Sequence, residues 1–133
     1  MASRKIIIAS LIIAQLILVI ASCTKTTTVL IDNSPAVTKT VSFSKDIQPI
    51  FSKSCALSGC HNGSISPNLT DAVTAYASLQ SGSFINTATP ESSLVYLWLT
   101  GKEAIAMPAG AANNPSNING LMLAWIKQGA KNN

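Results

Sequence analysis

The chain has 133 residues and a formal net charge of +4, and 47% of its residues are hydrophobic. This length leaves room for one domain. No run of Lys or Arg is long enough to form a phosphate-binding stripe, so we expect no nucleic-acid partner. General acids, bases and nucleophiles are so scarce beyond His61 that hydrolytic chemistry, and with it a small-molecule substrate, is not expected.

The N-terminus has the pattern of a signal peptide. Arg4 and Lys5 precede an uncharged, mostly apolar run over residues 6–22, and a basic head followed by such a run is typical of secretory signals. The run is short for a membrane-spanning helix, which needs roughly 20 residues. An uncleaved N-terminal anchor is the alternative interpretation.

The end of this run, Ile20-Ala21-Ser22-Cys23, resembles the lipobox of bacterial lipoproteins. The resemblance implies that residues 1–22 are removed and that Cys23 is diacylated, which anchors the exported chain to a membrane. Thr24 follows Cys23 where an Asp would retain a lipoprotein at the inner membrane. This implies a periplasm-facing lipoprotein of the outer membrane. We predict that residues 23–40, which are rich in Thr, form the lipidated Cys and a flexible tether.

Residues 41–133 are expected to fold as an all-α domain of about four helices. The first is predicted over residues 44–54, with Ser44 as N-cap and Pro49 near the start. Its apolar face comprises Phe43, Ile47, Ile50 and Phe51. The second is predicted over residues 71–80, with Thr70 as cap and Gly82 after its end. Its buried side comprises Val73, Tyr76 and Leu79.

The third helix is predicted over residues 90–99, with Pro90 in its first turn and Gly101 beyond its end. Its centre is apolar all round, so a buried strand is the competing interpretation. The fourth is predicted over residues 115–127, with Gly129 as the C′ residue. Its apolar stripe comprises Ile118, Leu121, Met122, Trp125 and Ile126. Gly120 inside it predicts a close crossing with the first helix.

Residues 41–133 contain 41 apolar residues, but 12 of these are Ala. That is a thin core for a small domain. A large apolar cofactor would help to fill it.

The segment Cys55-Ala-Leu-Ser-Gly-Cys60-His61 holds two of the three cysteines and the only histidine. One interpretation is a c-type haem, held by thioether bonds to both sulfurs and with His61 as an axial ligand of the iron. The usual spacer has two residues and this one has four. Ser58-Gly59 can make the extra turn, since Gly tolerates positive φ. The alternatives are a Cys55–Cys60 disulfide and a zinc site, although the chain offers no second pair of zinc ligands.

An electron carrier would need a second axial ligand, and the candidates are Met107 and Met122. Met122 lies on the apolar stripe of the last helix, where core packing is expected. Met107 lies in the long, nearly uncharged loop 102–114, and Pro108 after it would help to hold its thioether in place. We therefore predict Met107 as the ligand, with an ordinary surface loop residue as the alternative.

The arrangement as a whole resembles class I cytochrome c domains, in particular small ones whose first helix reads Phe-x-x-Asp-Ile-x-Pro-Ile. The matching segments, in family order, are Phe43-Ser-Lys-Asp46-Ile47-Gln-Pro49-Ile50, Cys60-His61, Pro67-Asn-Leu69, Tyr76-x-x-Leu79, Pro90-x-Ser92-Ser93-Leu94, Met107-Pro108 and Trp125-Ile126-x-x-Gly129-Ala130. The departure is the four-residue spacer.

The resemblance implies a fold of about four helices around one covalent haem c, a one-electron carrier rather than an enzyme, and redox proteins as partners. The Pro67 carbonyl would accept a hydrogen bond from the His61 ring. The resemblance further implies that Leu69, Tyr76, Trp98 and Trp125 pack on the haem or in the core. A haem sensor or peroxidase with Met107 unbound, and a haem-free binding module with a Cys55–Cys60 disulfide, are the other functions considered.

Overall fold

The computed structural model describes residues 36–109 and 116–133, and it is helical, with no strand among these residues. A π-helical turn, Phe43–Ile47, runs directly into helix α1, Gln48–Ser54. Helix α2 spans Ala72–Ser81. A 3₁₀ turn, Pro90–Ser92, precedes helix α3, Leu94–Leu99, and helix α4 spans Ser116–Lys127. An all-α domain is therefore confirmed for the described part of the chain. The signal peptide, Cys23 and most of the predicted tether lie outside the described residues.

The first helical segment begins at Phe43, one residue earlier than predicted, and its N-cap lies two residues earlier. Ser42, not Ser44, is the N-cap, and its hydroxyl accepts a hydrogen bond from the Lys45 N–H. In return the Asp46 carboxylate accepts a hydrogen bond from the Ser42 N–H at 2.9 Å. The backbone N–H groups of Ser42 and Lys45 therefore both have side-chain acceptors, as in a capping box. The prediction was wrong because the π-helical turn adds residues to the start of the helix. Pro49 lies in the first turn of α1, as expected.

The second helix is capped by Asp71 and not by Thr70. One oxygen of the Asp71 carboxylate accepts hydrogen bonds from the backbone N–H groups of Val73 and Thr74, both at 3.0 Å. Starting the helix at Ala72 turns Val73 outward, and its side chain is 76% exposed. Ala75 and Leu79 form the buried side instead, so the prediction for Val73 was wrong.

The third segment is helical rather than a strand, but it is not one continuous helix. Ser93 has an extended backbone and separates the 3₁₀ turn from α3. Its buried hydroxyl accepts from the Asn86 N–H, and this bond ties the break to the preceding loop. Pro90 begins the 3₁₀ turn rather than α3.

The last helix agrees with the prediction over its described residues. Met122, Trp125 and Ile126 are fully buried. Gly129 has a φ of +94°, the left-handed conformation expected of a C′ residue. Helix α4 packs against α3 and against the π-helical turn. The contact of Gly120 itself stays a prediction.

The core has an aromatic cluster where the two ends of the domain meet. The rings of Phe43, Phe51, Tyr76 and Trp125 pack in this cluster, with the Phe43 and Trp125 centroids 5.0 Å apart. The Trp125 indole N–H donates to the Lys131 carbonyl at 2.9 Å. The core contacts of the domain begin before its predicted start at residue 41, since the side chain of Val37 packs on the core. The Gln128 side chain bonds the backbone of both Lys39 and Val41.

Candidate functional site: an apolar cavity at the Cys-His segment

A cavity of about 220 Å³ lies where the Cys-His segment meets helix α3 and the loop that follows α3. All six residues predicted to bind the cofactor line it: Cys55, Cys60, His61, Pro67, Leu69 and Met107. Five of them lie within residues 55–69, and the fold brings Met107, from the loop after α3, to the same space. The prediction required this convergence, although it was made from the loop position of Met107 and the spacing of the cysteines and not from a structure.

The four-residue spacer forms a closed turn. The Cys60 N–H donates to the Leu57 carbonyl at 2.9 Å, and the His61 N–H donates to the Cys55 carbonyl at 3.1 Å. Gly59 has a φ of +78°, a conformation that side-chain-bearing residues rarely adopt. The turn expected at Ser58-Gly59 is therefore present, and it absorbs the additional residues while both thiols remain at the cavity.

The two cysteines differ in their surroundings. Cys55 is half-buried and Cys60 is exposed, and no disulfide joins them in the structure. Burial raises the pKa of the Cys55 thiol to about 11, and the nearby Cys60 adds to the rise through charge repulsion. The Cys55 thiol is thus protonated at neutral pH and far less nucleophilic than an ordinary thiolate.

The His61 ring is oriented by backbone carbonyls. Its Nδ1 lies 3.0 Å from the Pro67 carbonyl oxygen and 3.3 Å from that of Ile65. A carbonyl oxygen can only accept, so we assign the proton of the neutral ring to Nδ1. The Nε2 atom then carries the electron pair, which is the form that can bind a metal. The contact predicted between His61 and Pro67 is confirmed.

The segment around Pro67 is fixed by its own backbone. The Leu69 N–H donates to the His61 carbonyl at 2.8 Å, and the Asn68 N–H donates to the Ser78 hydroxyl on α2 at 2.9 Å. Both Pro67 and Leu69 are buried. The acceptor for the His61 ring is therefore part of a well-anchored loop.

Met107 reaches the cavity because its backbone is tied to helix α3. The Met107 N–H donates to the Trp98 carbonyl at 3.0 Å. Met107 is half-buried and lines the cavity, whereas the rival candidate Met122 is fully buried in the core and does not line it. Core packing, predicted for Met122, is confirmed.

Sequence reasoning missed most of the apolar residues around this space. Helix α1 contributes Phe51, helix α3 contributes Val95 and Leu99, and the loop before α3 contributes Phe84. These residues carry no chemical signature, and only the packing of the helices brings them together. Two further lining residues, Leu57 and Ile65, are about half exposed and form an apolar rim on the Cys-His segment.

Two further properties concern the described residues alone. None of their helices is long and apolar enough to cross a membrane. Nowhere in residues 36–109 and 116–133 do three Cys, His, Asp or Glu side chains come together as metal ligands.

The comparisons with known proteins add no assignment. No protein-family model, no curated protein and no solved structure matches this chain.

Proposed function

We propose that the chain is a one-electron carrier with one covalently attached c-type haem. Cys55 and Cys60 would hold the haem through thioether bonds, and His61 and Met107 would bind its iron. The observation that carries the proposal is the convergence of both thiols, the imidazole and the thioether on one apolar cavity. Reduction and oxidation of the bound iron is the chemistry that the group would supply there.

The donor set fits such a group. The two thiols belong to the ends of one closed turn, and the adjacent His61, with Nδ1 donating to Pro67, would offer its Nε2 electron pair to a metal. The remaining lining is almost entirely hydrocarbon, from residues such as Phe51, Val95 and Leu99. An apolar macrocycle prefers such walls to water.

The chain's own residues would tune the couple. The hydrogen bond from His61 to Pro67 fixes the ring's tautomer and orientation and increases its strength as a donor. As a soft ligand, the thioether of Met107 would favour the reduced metal over the oxidised one. With the haem in place, the apolar walls would limit the access of water to the iron. Since these ligands stay in place, little rearrangement would accompany electron transfer.

We further propose that the mature chain begins at Cys23, carries lipid there and faces the periplasm from the outer membrane. The tether would let the domain meet redox proteins near the membrane surface. Without residues 1–22 the chain has seven Lys against five acidic residues, so its net charge falls to +2. This near-neutral domain is consistent with protein partners rather than nucleic acid.

The test is the mass and colour of the exported protein, purified from cells able to mature c-type cytochromes. We expect the mass of the chain from Cys23 plus acyl groups and one haem, a Soret band, and haem staining that survives denaturation. The variant with both Cys55→Ser and Cys60→Ser should lose the stain and keep the lipid. A colourless wild-type protein would instead indicate the disulfide-bonded binding module if its mass is two hydrogens below that of the lipidated chain with both thiols reduced.

A further inference from the structure

We propose that Gln48 is a positioning residue for His61. By holding the Leu69 carbonyl, it fixes the segment whose Pro67 carbonyl orients the imidazole ring. The inference rests on the proposed function, in which His61 is the iron ligand. It adds a residue of helix α1 that does not line the cavity and that no motif identifies.

Gln48 is buried and makes a specific contact. Its side chain is 8% exposed, and its Nε2 donates to the Leu69 carbonyl at 3.1 Å and to the Ser52 hydroxyl at 3.2 Å. Because the Leu69 oxygen can only accept, the amide nitrogen must lie on that side. The contact joins helix α1 to a loop twenty-one positions further along the chain.

The π-helical turn explains why a polar residue faces inward here. The Gln48 N–H donates to the Phe43 carbonyl, the i→i+5 bond of a π-helix. In an uninterrupted α-helix Gln48 would lie about 140° around the axis from Phe43, away from the core. The wider turn brings Gln48 to the buried side, where Phe43 and Ile47 already lie.

Two hydrogen bonds and the short stretch of backbone between Pro67 and Leu69 link Gln48 to the ring. Both backbone groups of Leu69 are hydrogen-bonded. Its carbonyl accepts from Gln48, and its N–H donates to the His61 carbonyl. Two residues before Leu69, the Pro67 carbonyl meets His61 Nδ1. A shift of Leu69 therefore moves the acceptor that sets the direction of the ring.

Packing alone does not account for a Gln at this position. No donor among the described residues reaches its Oε1, which is buried. A buried polar atom without a partner is unfavourable, so a Met of similar length would fill the space without that penalty. What the Met cannot do is donate to Leu69.

The experiment compares the matured full-length protein with Gln48→Met. The readouts are the reduction potential and the hydrogen exchange of the His61 Nδ1–H, followed by NMR. The chain has one histidine, so its ring signal is unambiguous. The Trp125 indole N–H, which bonds Lys131 outside the cavity, is the internal reference for global opening. We expect ring exchange at least tenfold faster relative to that reference, and a more positive potential because a weaker bond to Pro67 makes His61 a poorer donor.

The matched control is Gln128→Met, which likewise removes two hydrogen bonds, in this case both to backbone, at Lys39 and Val41. It should lower stability and leave the relative exchange of the His61 ring unchanged. The rescue variant is Gln48→Glu, because burial favours the protonated form of its carboxyl, which can donate to Leu69. It should restore slow exchange. If Gln48→Met matches the wild type in both readouts, the proposal is overturned.

Two further outcomes are decisive. If Gln48→Met does not accumulate, Gln48→Glu takes its place. The hydrogen exchange of the His61 ring is then measured at a pH below and a pH above the pKa of the new carboxyl, each time against wild type at the same pH. The ionised carboxylate has no proton to donate, so the ring must exchange faster in that form. If the ring exchanges at the same rate in both forms, the proposal is overturned. If the protein carries no haem by mass, the proposed function fails. The ¹⁵N shifts of the His61 ring in that sample still report whether Gln48 holds the Nδ1–H form.

Discussion

Met107 is the side chain that would close the proposed iron site to outside ligands. Met107→Ala removes the thioether and leaves Cys55, Cys60 and His61 unchanged, so we expect the haem to stay attached with one coordination position open. The absorption spectrum should change in both oxidation states, and the reduced variant should bind carbon monoxide where the wild type does not. The potential should fall, because a soft ligand that favours reduced iron is lost.

The control for this prediction is Met122→Leu. Met122 is fully buried in the core and does not line the cavity. A volume-conserving change there should cost less than about 1.5 kcal/mol and leave the spectrum unchanged. Identical spectra for Met107→Ala and the wild type would remove Met107 from the ligand set. Carbon monoxide binding by the wild type would favour a sensor or peroxidase.

The two cysteines should react unequally in protein made without haem maturation. With a pKa of about 11, roughly one thousandth of the Cys55 side chains are thiolate at pH 8. Cys60 is exposed, so iodoacetamide should alkylate it first, and Cys55 should accelerate as the pH rises towards 11. Peptide mass spectrometry over time distinguishes the two. Equal alkylation rates of the two cysteines at pH 8 would contradict the burial of Cys55. In matured protein, where both sulfurs would be bonded to haem, neither cysteine should react.

At this scale the sequence predicted what is chemically rare. Cys, His and Met are scarce in the chain, so their placement carries information, and the four predicted to hold the haem, Cys55, Cys60, His61 and Met107, line the same cavity. Gln48 could not be predicted, because its inward direction depends on a π-helical turn. The same limit applies to the walls: nothing distinguishes Phe51 or Val95 from any other apolar residue until the helices pack.

Helix α2 depends on its N-cap. Asp71→Ala removes the acceptor for two backbone N–H groups at the start of the helix, so we expect lower stability in denaturant unfolding at neutral pH. Asp71→Asn keeps an oxygen acceptor and should lie between the wild type and the Ala variant. Because Ser78 on α2 holds the Asn68 N–H, a frayed helix should also loosen the loop that carries Pro67.

The same residue gives a pH dependence with a definite sign. The hydrogen bonds from Thr74 and Val73 lower the pKa of the Asp71 carboxyl below its ordinary value. A lowered pKa in the folded state means that stability is present above pH ~4 and lost as the pH falls through the folded-state pKa. Asp46 and Glu91 also have lowered pKa values, so the relevant measure is the difference between wild type and Asp71→Asn. A constant difference from pH 7 to pH 2 would contradict the assignment.

Among the elements, helix type was easier to predict than helix ends. The apolar stripe of α4 specifies one buried face, and Gly129 marks its end. At the starts, two neighbouring polar residues compete for the cap, as Ser42 with Ser44 and Thr70 with Asp71, and backbone geometry decides between them. The break at Ser93 was missed because it depends on a bond to Asn86, which lies in a different loop.

The molecule as a whole has two apolar regions with different contents. The aromatic cluster joins the first helical segment, α2 and α4, and Phe51 is its only member that also lines the cavity. The cavity is lined by all six residues predicted to bind the cofactor. We infer that the cluster supports the fold and the cavity supports the chemistry, so changes in Trp125 should affect stability while changes at the site affect spectra.

Trp125→Ala tests this division. Trp125 is fully buried, packs on Phe43 and donates to the Lys131 carbonyl. Removing it should lower the free energy of unfolding by about 3–5 kcal/mol, the range for a large aromatic residue in a core. The fraction that remains folded should keep the wild-type spectrum, because Trp125 does not line the cavity. Val73→Ala, on the exposed side of α2, is the control and should stay within about 0.5 kcal/mol. A change in the spectrum of folded Trp125→Ala protein would mean that the two regions are coupled.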